Sequence, residues 1–137
     1  MSILVVEDNP NDVFILQKCF ELLPSPGKLI HQRTAMDALS YLQELHDKNA
    51  LDEIQLILLD LNLPGIDGRG FLKEMKTNDR FKSIPVIILS TSNNYSDVAF
   101  CYAQGANCYL QKPFDFDDMK ILAKRIDEFW LHTAILP

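Results

Sequence analysis

The sequence predicts an α/β fold: a doubly wound, five-stranded parallel sheet flanked by five helices. Short runs of apolar, β-favouring residues recur at Ile3–Val6, Lys28–His31, Leu56–Leu59, Val86–Leu89 and Cys108–Leu110. The segments between them carry helical periodicity, and strands that alternate with helices form parallel sheets covered on both faces.

The first helix is predicted to start at Pro10, a favourable first-turn residue behind the capping candidate Asn9. It sets Val13, Leu16, Phe20 and Leu23 on one stripe, and Pro24 and Pro26 end it. Thr34-Ala-Met-Asp37 has the spacing of a capping box and opens a second helix with Ala38, Leu39, Leu42 and Leu45 inward. The polar stretch His46–Glu53 is expected as a loop. Further helices fit Arg69–Lys76, Ser96–Gln104 ending at Gly105, and Asp115–Leu131, the last with acidic residues in its first turn and basic ones beyond.

A chain of 137 residues matches the commonest domain size of roughly 100–150 residues. One domain over residues 1–137 is therefore expected, with 127–137 as an apolar C-terminal extension and no separate output module. Thirteen Lys and Arg against nineteen Asp and Glu leave a net charge of −6, which disfavours nucleic acid and anionic membrane surfaces. Cys19, Cys101 and Cys108 lie in apolar segments and are expected as reduced core residues of a cytoplasmic protein. The opening Met1-Ser2-Ile3-Leu4 carries no basic leader, and no apolar stretch approaches the ~18 residues of a membrane span.

In open parallel sheets ligands bind beyond the carboxyl ends of the strands. Those ends read Glu7-Asp8, Asp60, Ser90 and Lys112. Carboxylates gathered at one edge repel unless a cation joins them, and hard oxygen ligands with room for water suit Mg²⁺. A strand-end Asp beside such an ion can act as a nucleophile toward phosphorus, with Lys112 and the Ser90 hydroxyl facing phosphoryl oxygens. Taken singly each element has an ordinary explanation. Asp60 could cap the turn Asp-Leu-Asn-Leu-Pro-Gly, and Lys112 before Pro113 could be a solvated turn residue.

Taken together, Val5-Val6-Glu7-Asp8-Asn9, Leu58 through Gly68, Pro85–Ser90 and Lys112-Pro113-Phe114 resemble the receiver domains of two-component response regulators, from Ile3 to about Leu131. The resemblance implies the flavodoxin-like, CheY-like strand order 2-1-3-4-5. It implies Asp60 as phosphoacceptor and Mg²⁺ held by Glu7, Asp8, Asp60 and the backbone carbonyl of Asn62. Lys112 would contact the phosphoryl group, Ser90 would be the switch hydroxyl with Thr91 as fallback, and Tyr109 the aromatic switch. Asn62 and Ser92 fall at the loop positions that influence water access, and the Lys112-Pro113 bond is one that is usually cis in the family.

The tail Asp127–Pro137 carries more apolar surface than the inward stripe Met119, Leu122, Ile126 and Phe129 requires. Such surface docks on its own domain or on a second copy. The expectation is a homodimer through the fourth-helix to fifth-helix face and the tail, with Phe129, Trp130, Leu131, Ile135 and Leu136 at the interface. The Phe-Trp-Leu-x-Thr ending, the long His46–Glu53 segment and Asn-Cys-Tyr-Leu resemble stand-alone regulators associated with bacterial and cyanobacterial phytochromes. The partner implied is a sensor histidine kinase, a phytochrome on the narrower match. Two other classes compete. An unphosphorylated interaction module would be expected to have lost pocket residues, and a Mg²⁺-dependent aspartyl-phosphate phosphatase would want an acid where Asn62 stands. The chain is thus expected to be a phospho-accepting signalling protein rather than an enzyme.

Overall fold

The computed structural model describes residues 2–63, 65 and 67–137. Five strands, β1 (Ser2–Val6), β2 (Lys28–Gln32), β3 (Ile54–Leu59), β4 (Val86–Ser90) and β5 (Cys108–Gln111), form one parallel sheet in the order β2-β1-β3-β4-β5. The strands match the expected runs with one or two further paired residues at their ends.

Successive strand side chains point to opposite faces, so an unbroken apolar run supplies two cores at once. Leu4, Val6, Ile57, Leu59, Val86 and Ile88 pack on one face against α2 (Ala35–Asp47), α3 (Gly68–Thr77) and Cys101 of α4 (Tyr95–Ala103). Ile3, Val5, Leu56, Leu58, Ile87 and Leu89 pack on the other against α1 (Pro10–Glu21) and α5 (Phe116–Ile126). The caps expected at Asn9 and Thr34 are present: the Asn9 side chain accepts from the amides of Asn11 and Asp12, and Thr34 accepts from Asp37. Gly105 ends α4 with φ of +99°, where a side chain would be strained. No helix among the described residues is long and apolar enough to cross a membrane.

Three expectations need correction. His46–Glu53 is not all loop: α2 runs on to Asp47, and Leu51–Glu53 forms a 3-10 turn leading into β3. The fifth helix changes winding at Asp127, where a π-helical turn spans Asp127–Leu131. That turn shifts the helical phase. It carries Leu131 into the core among Ile3, Phe20 and Ile126, so Leu131 is not a surface residue available to a second copy. Finally, no cis peptide bond occurs among the described residues, so Lys112-Pro113 is trans. The Lys112 amide donates to the Ser90 carbonyl at 2.6 Å, which carries β5 pairing directly up to the site.

Gly27 shows how closely Leu131 seats, since a Cβ there would lie 2.7 Å from Leu131 Cδ1. Leu131→Ala is expected to lower stability by about 2–4 kcal/mol, the cost of emptying a packed leucine site. Ile135→Ala, at a fully exposed side chain, is expected to leave stability unchanged. Urea unfolding of both variants checks this.

Candidate functional site

The strand order brings the chemistry together. Because β1 and β3 are neighbours, with Val6 opposite Leu59, the residues that follow them emerge side by side. The Glu7 amide donates to Gln32 and the Asp60 amide to Val6, extending the sheet pairing one residue past each strand. One carboxylate oxygen from each of Glu7, Asp8 and Asp60 then falls within 4.8 Å of the others.

Lys112, entering from β5, extends across β4 and β3 to reach them. Its Nζ lies 2.6 Å from Glu7 Oε1, 3.0 Å from Asp12 Oδ2 and 3.5 Å from Asp60 Oδ2. Asp60 Oδ1 meanwhile accepts from the Asn62 amide at 3.1 Å. Gly68 packs against the backbone of Asp60 and Leu61 so tightly that any Cβ there would collide with the Asp60 carbonyl. The requirement for glycine at that position is therefore steric. Within the Asp60–Gly68 motif, Pro64 and Ile66 lie outside the described residues.

The electrostatics follow from burial. Burial, with the Asp60 carboxyl alongside, pushes Glu7 up to about 8 even though Lys112 pulls the other way. Burial also disfavours the Lys112 charge, but the hydrogen bond and charge of Glu7, with Asp60 and Asp12, outweigh it and raise Lys112 to about 12. The ammonium thus stays charged, and burial holds the Glu7 carboxyl well above the usual carboxylate range. Glu7 Oε2 is buried with no hydrogen-bond donor, which a proton or a bound cation would satisfy. An all-oxygen donor set of this kind fits a hard divalent cation.

A cavity of about 200 Å³ opens over the cluster, lined among others by Glu7, Asp12, Asp60, Thr91, Lys112 and Phe114. Ser90 does not line it. Its side chain is wholly buried, and its Oγ accepts from the Ser92 amide at 3.3 Å, so Thr91 rather than Ser90 borders the cavity in this arrangement. Tyr109 is half-buried, and its hydroxyl donates to the Ser92 carbonyl at 2.8 Å. Of the tail residues, Trp130 is half-buried with its ring edge-to-face on Phe129, while Phe129 and Ile135 are exposed. Leu136 is half-buried.

Two contributors escape a reading of the sequence. Asp12 sits in the first turn of α1, one turn beyond Asp8. A negative charge there already has a local explanation in the helix dipole, although the four-residue spacing from Asp8 was an available signal. His31, which reads as an isolated histidine, places Nε2 2.6 Å from the Glu7 carbonyl and so braces the acidic strand end from β2.

The fold and this edge define a class. The family model for the response regulator receiver domain matches residues 3–124, and the chain belongs to that family. Response regulator Rcp1 of Synechocystis sp. is 39% identical over 135 residues, covering 98% of this chain and 92% of that protein. Among solved structures, the phosphorylated cyanobacterial phytochrome response regulator RcpA is 39% identical with a TM-score of 0.90, over 99% of this chain and 97% of the other. The Mn²⁺-bound form of Rcp1 is likewise 39% identical, with a TM-score of 0.87 over 99% and 98%. Response regulators of this family are generally signalling proteins, and the chain is related to phytochrome response regulators.

The raised Glu7 gives a pH dependence whose sign is fixed. Folding adds a proton to Glu7 between its ordinary 4.5 and about 8, so the stability it contributes is complete below 4.5 and is lost as pH rises through 8. With a chelator present, wild type is expected to lose about 1–3 kcal/mol across that window, while Glu7→Gln, which cannot ionise, flattens the slope. Urea unfolding at several pH values measures both.

Proposed function

We propose that this chain is a single-domain response regulator that accepts a phosphoryl group on Asp60 from the phosphohistidine of a sensor histidine kinase. An Asp60 carboxylate oxygen forms a bond to phosphorus, the phosphorus–nitrogen bond of the donor breaks, and the electron pair leaves with the imidazole. The observation that carries this reading is the position of Asp60 at the sheet edge. It is nearly buried, its Oδ1 is held by the Asn62 amide, and the charged Lys112 lies 3.5 Å from its Oδ2.

In this reading Glu7, Asp8, Asp60 and the Asn62 carbonyl hold Mg²⁺. When bound, the ion offsets charge on the phosphoryl oxygens, which carboxylates alone would repel. Lys112 supplies a hydrogen-bonded positive charge to one of those oxygens, and Ser90 donates to another once its hydroxyl turns toward the cavity. Tyr109 follows that movement. The transferred charge thereby shifts a pre-existing equilibrium.

The chain works in this proposal as one receiver unit in the cytoplasm, with residues 127–137 as its extension, and its output is changed association with protein rather than catalysis. The names of its relatives support a phytochrome as the input kinase. Exposed Tyr95, Phe100 and Tyr102 on α4, with Phe129 and Ile135 on the tail, support a homodimer through the α4–α5 face. The net charge of −6 supports no role for nucleic acid.

Intact-mass measurement after incubation with acetyl phosphate tests the core of the proposal. A Mg²⁺-dependent phosphoryl adduct is expected on wild type, none on Asp60→Asn, and a rate at least about tenfold lower on Lys112→Ala. A wild type that takes up neither phosphoryl group nor Mg²⁺ would move the assignment to an unphosphorylated interaction module.

A further inference from the structure

Ser92 in the β4–α4 loop gathers an unusual number of bonds. Its amide donates to Ser90 Oγ at 3.3 Å, and its carbonyl accepts from the Tyr109 hydroxyl at 2.8 Å. Its own hydroxyl donates to Asp97 Oδ2 at 2.8 Å and accepts from the Asn94 amide at 3.2 Å. The other oxygen of Asp97, Oδ1, accepts from the Arg69 guanidinium in the first turn of α3. Arg69 is itself flanked at 3.7 Å by Asp67, the residue that caps α3. One loop residue is therefore tied to the β4 end, to β5 and, through a charged pair, to the starts of two helices.

We infer that Arg69 and Asp97 form a clamp that holds the β4–α4 loop, through Ser92, in the arrangement that keeps the Ser90 hydroxyl out of the phosphoacceptor cavity. They are positioning residues, and the inference rests on the reading of Asp60 given above. For Ser90 to reach a phosphoryl oxygen on Asp60, its Oγ must give up the Ser92 amide, and the loop must follow. The loop cannot follow while the Ser92 hydroxyl is bound to Asp97, because Asp97 belongs to α4 and its counter-ion to α3. The pair is also better placed than an ordinary surface ion pair. The two side chains are only 34% and 21% exposed, and both Asp97 oxygens are engaged. Arg69 and Ser92 accordingly hold the Asp97 carboxyl below its ordinary range.

The same contacts connect the loop to the outer surface of α4. Asp97 lies in the first turn of the helix that exposes Tyr95, Phe100 and Tyr102. Releasing the clamp therefore frees the end of the helix whose face the proposed association uses. In population terms the clamp favours the resting arrangement, and phosphorylation must supply enough differential interaction to overcome it.

The test uses the full chain as wild type, Arg69→Gln, Asp97→Asn and the double variant. Lys82→Gln serves as control by cutting a remote exposed pair with Asp79. Two quantities are read: amide hydrogen exchange of residues 91–97 in unphosphorylated protein, and the rate of Mg²⁺-dependent adduct formation from phosphoramidate. Each single variant is expected to raise both by roughly two- to fivefold, what a partly exposed ion pair can command, and the control neither. The double variant should go no further than the singles, because both substitutions open one clamp.

Folded variants with wild-type exchange, or effects that add, would overturn the clamp while normal adduct formation left the Asp60 reading intact. Raised, non-additive exchange with no adduct on any chain would instead overturn the Asp60 reading and leave the clamp as the loop's anchor. If Asp97→Asn does not fold, Ser92→Ala serves in its place. It leaves the ion pair whole, cuts only the hydroxyl bond, and is expected to raise exchange over the same residues.

Discussion

The carboxyl edge of this sheet depends on one ammonium. Lys112 Nζ gathers a carboxyl group from the end of β1, another from the end of β3 and a third from the first turn of α1, all within 3.5 Å. With Asp8 beside them, four acidic groups share a single fixed cation. Ion pairs taken out of water rarely stabilise a fold better than well-packed apolar side chains do. The excess negative charge is thus a cost to the fold, and burial together with the Asp60 carboxyl holds Glu7 above the usual carboxylate range. A divalent cation would offset that cost, so the imbalance that weighs on the fold is also what makes the donor set suit a hard cation.

Topology explains why so much of this edge could be read from the chain. Parallel strands all end on one side, so knowing the runs is enough to know that Glu7, Asp8, Asp60, Ser90 and Lys112 share it. The apolar runs marked the strands because each is buried on both faces, and the helix starts at Asn9 and Thr34 were marked by side chains that cap them locally. In each case the cause lies within a few residues of its effect, or is a rule of the fold.

What the sequence did not disclose depends on angles between elements that are distant in the chain. Asp12 meets Lys112 only because α1 leaves β1 at an angle that hangs its first turn over the cluster, and the separation in sequence is 100 residues. Arg69 and Asp97 meet only because the starts of α3 and α4 lie side by side beyond β3 and β4, a placement no spacing reveals. Leu131 follows an extrapolated helical stripe to the surface, and the π turn at Asp127–Leu131 moves it to the interior. Such residues each have a sufficient local explanation, which is why a tertiary one goes unnoticed.

Two structural routes lead away from Asp60, and they differ in kind. One passes through Lys112 and Pro113 into α5 and the π-helical turn that follows it, which carries Leu131 into the core and Phe129 to the surface. Its anchors are groups on β1, α1 and β3, all packed in rigid elements. The other passes through the β4–α4 loop, where the Ser92 amide donates to the Ser90 hydroxyl and the Ser92 carbonyl accepts from the Tyr109 hydroxyl. Contact alone does not make coupling, which needs an element with two discrete arrangements of comparable energy. Lys112 is buried and bound to three carboxylates at once, so that side supplies charge and rigidity. In the proposed mechanism the loop would supply the second arrangement, and a phosphoryl group on Asp60 would act outward through α4.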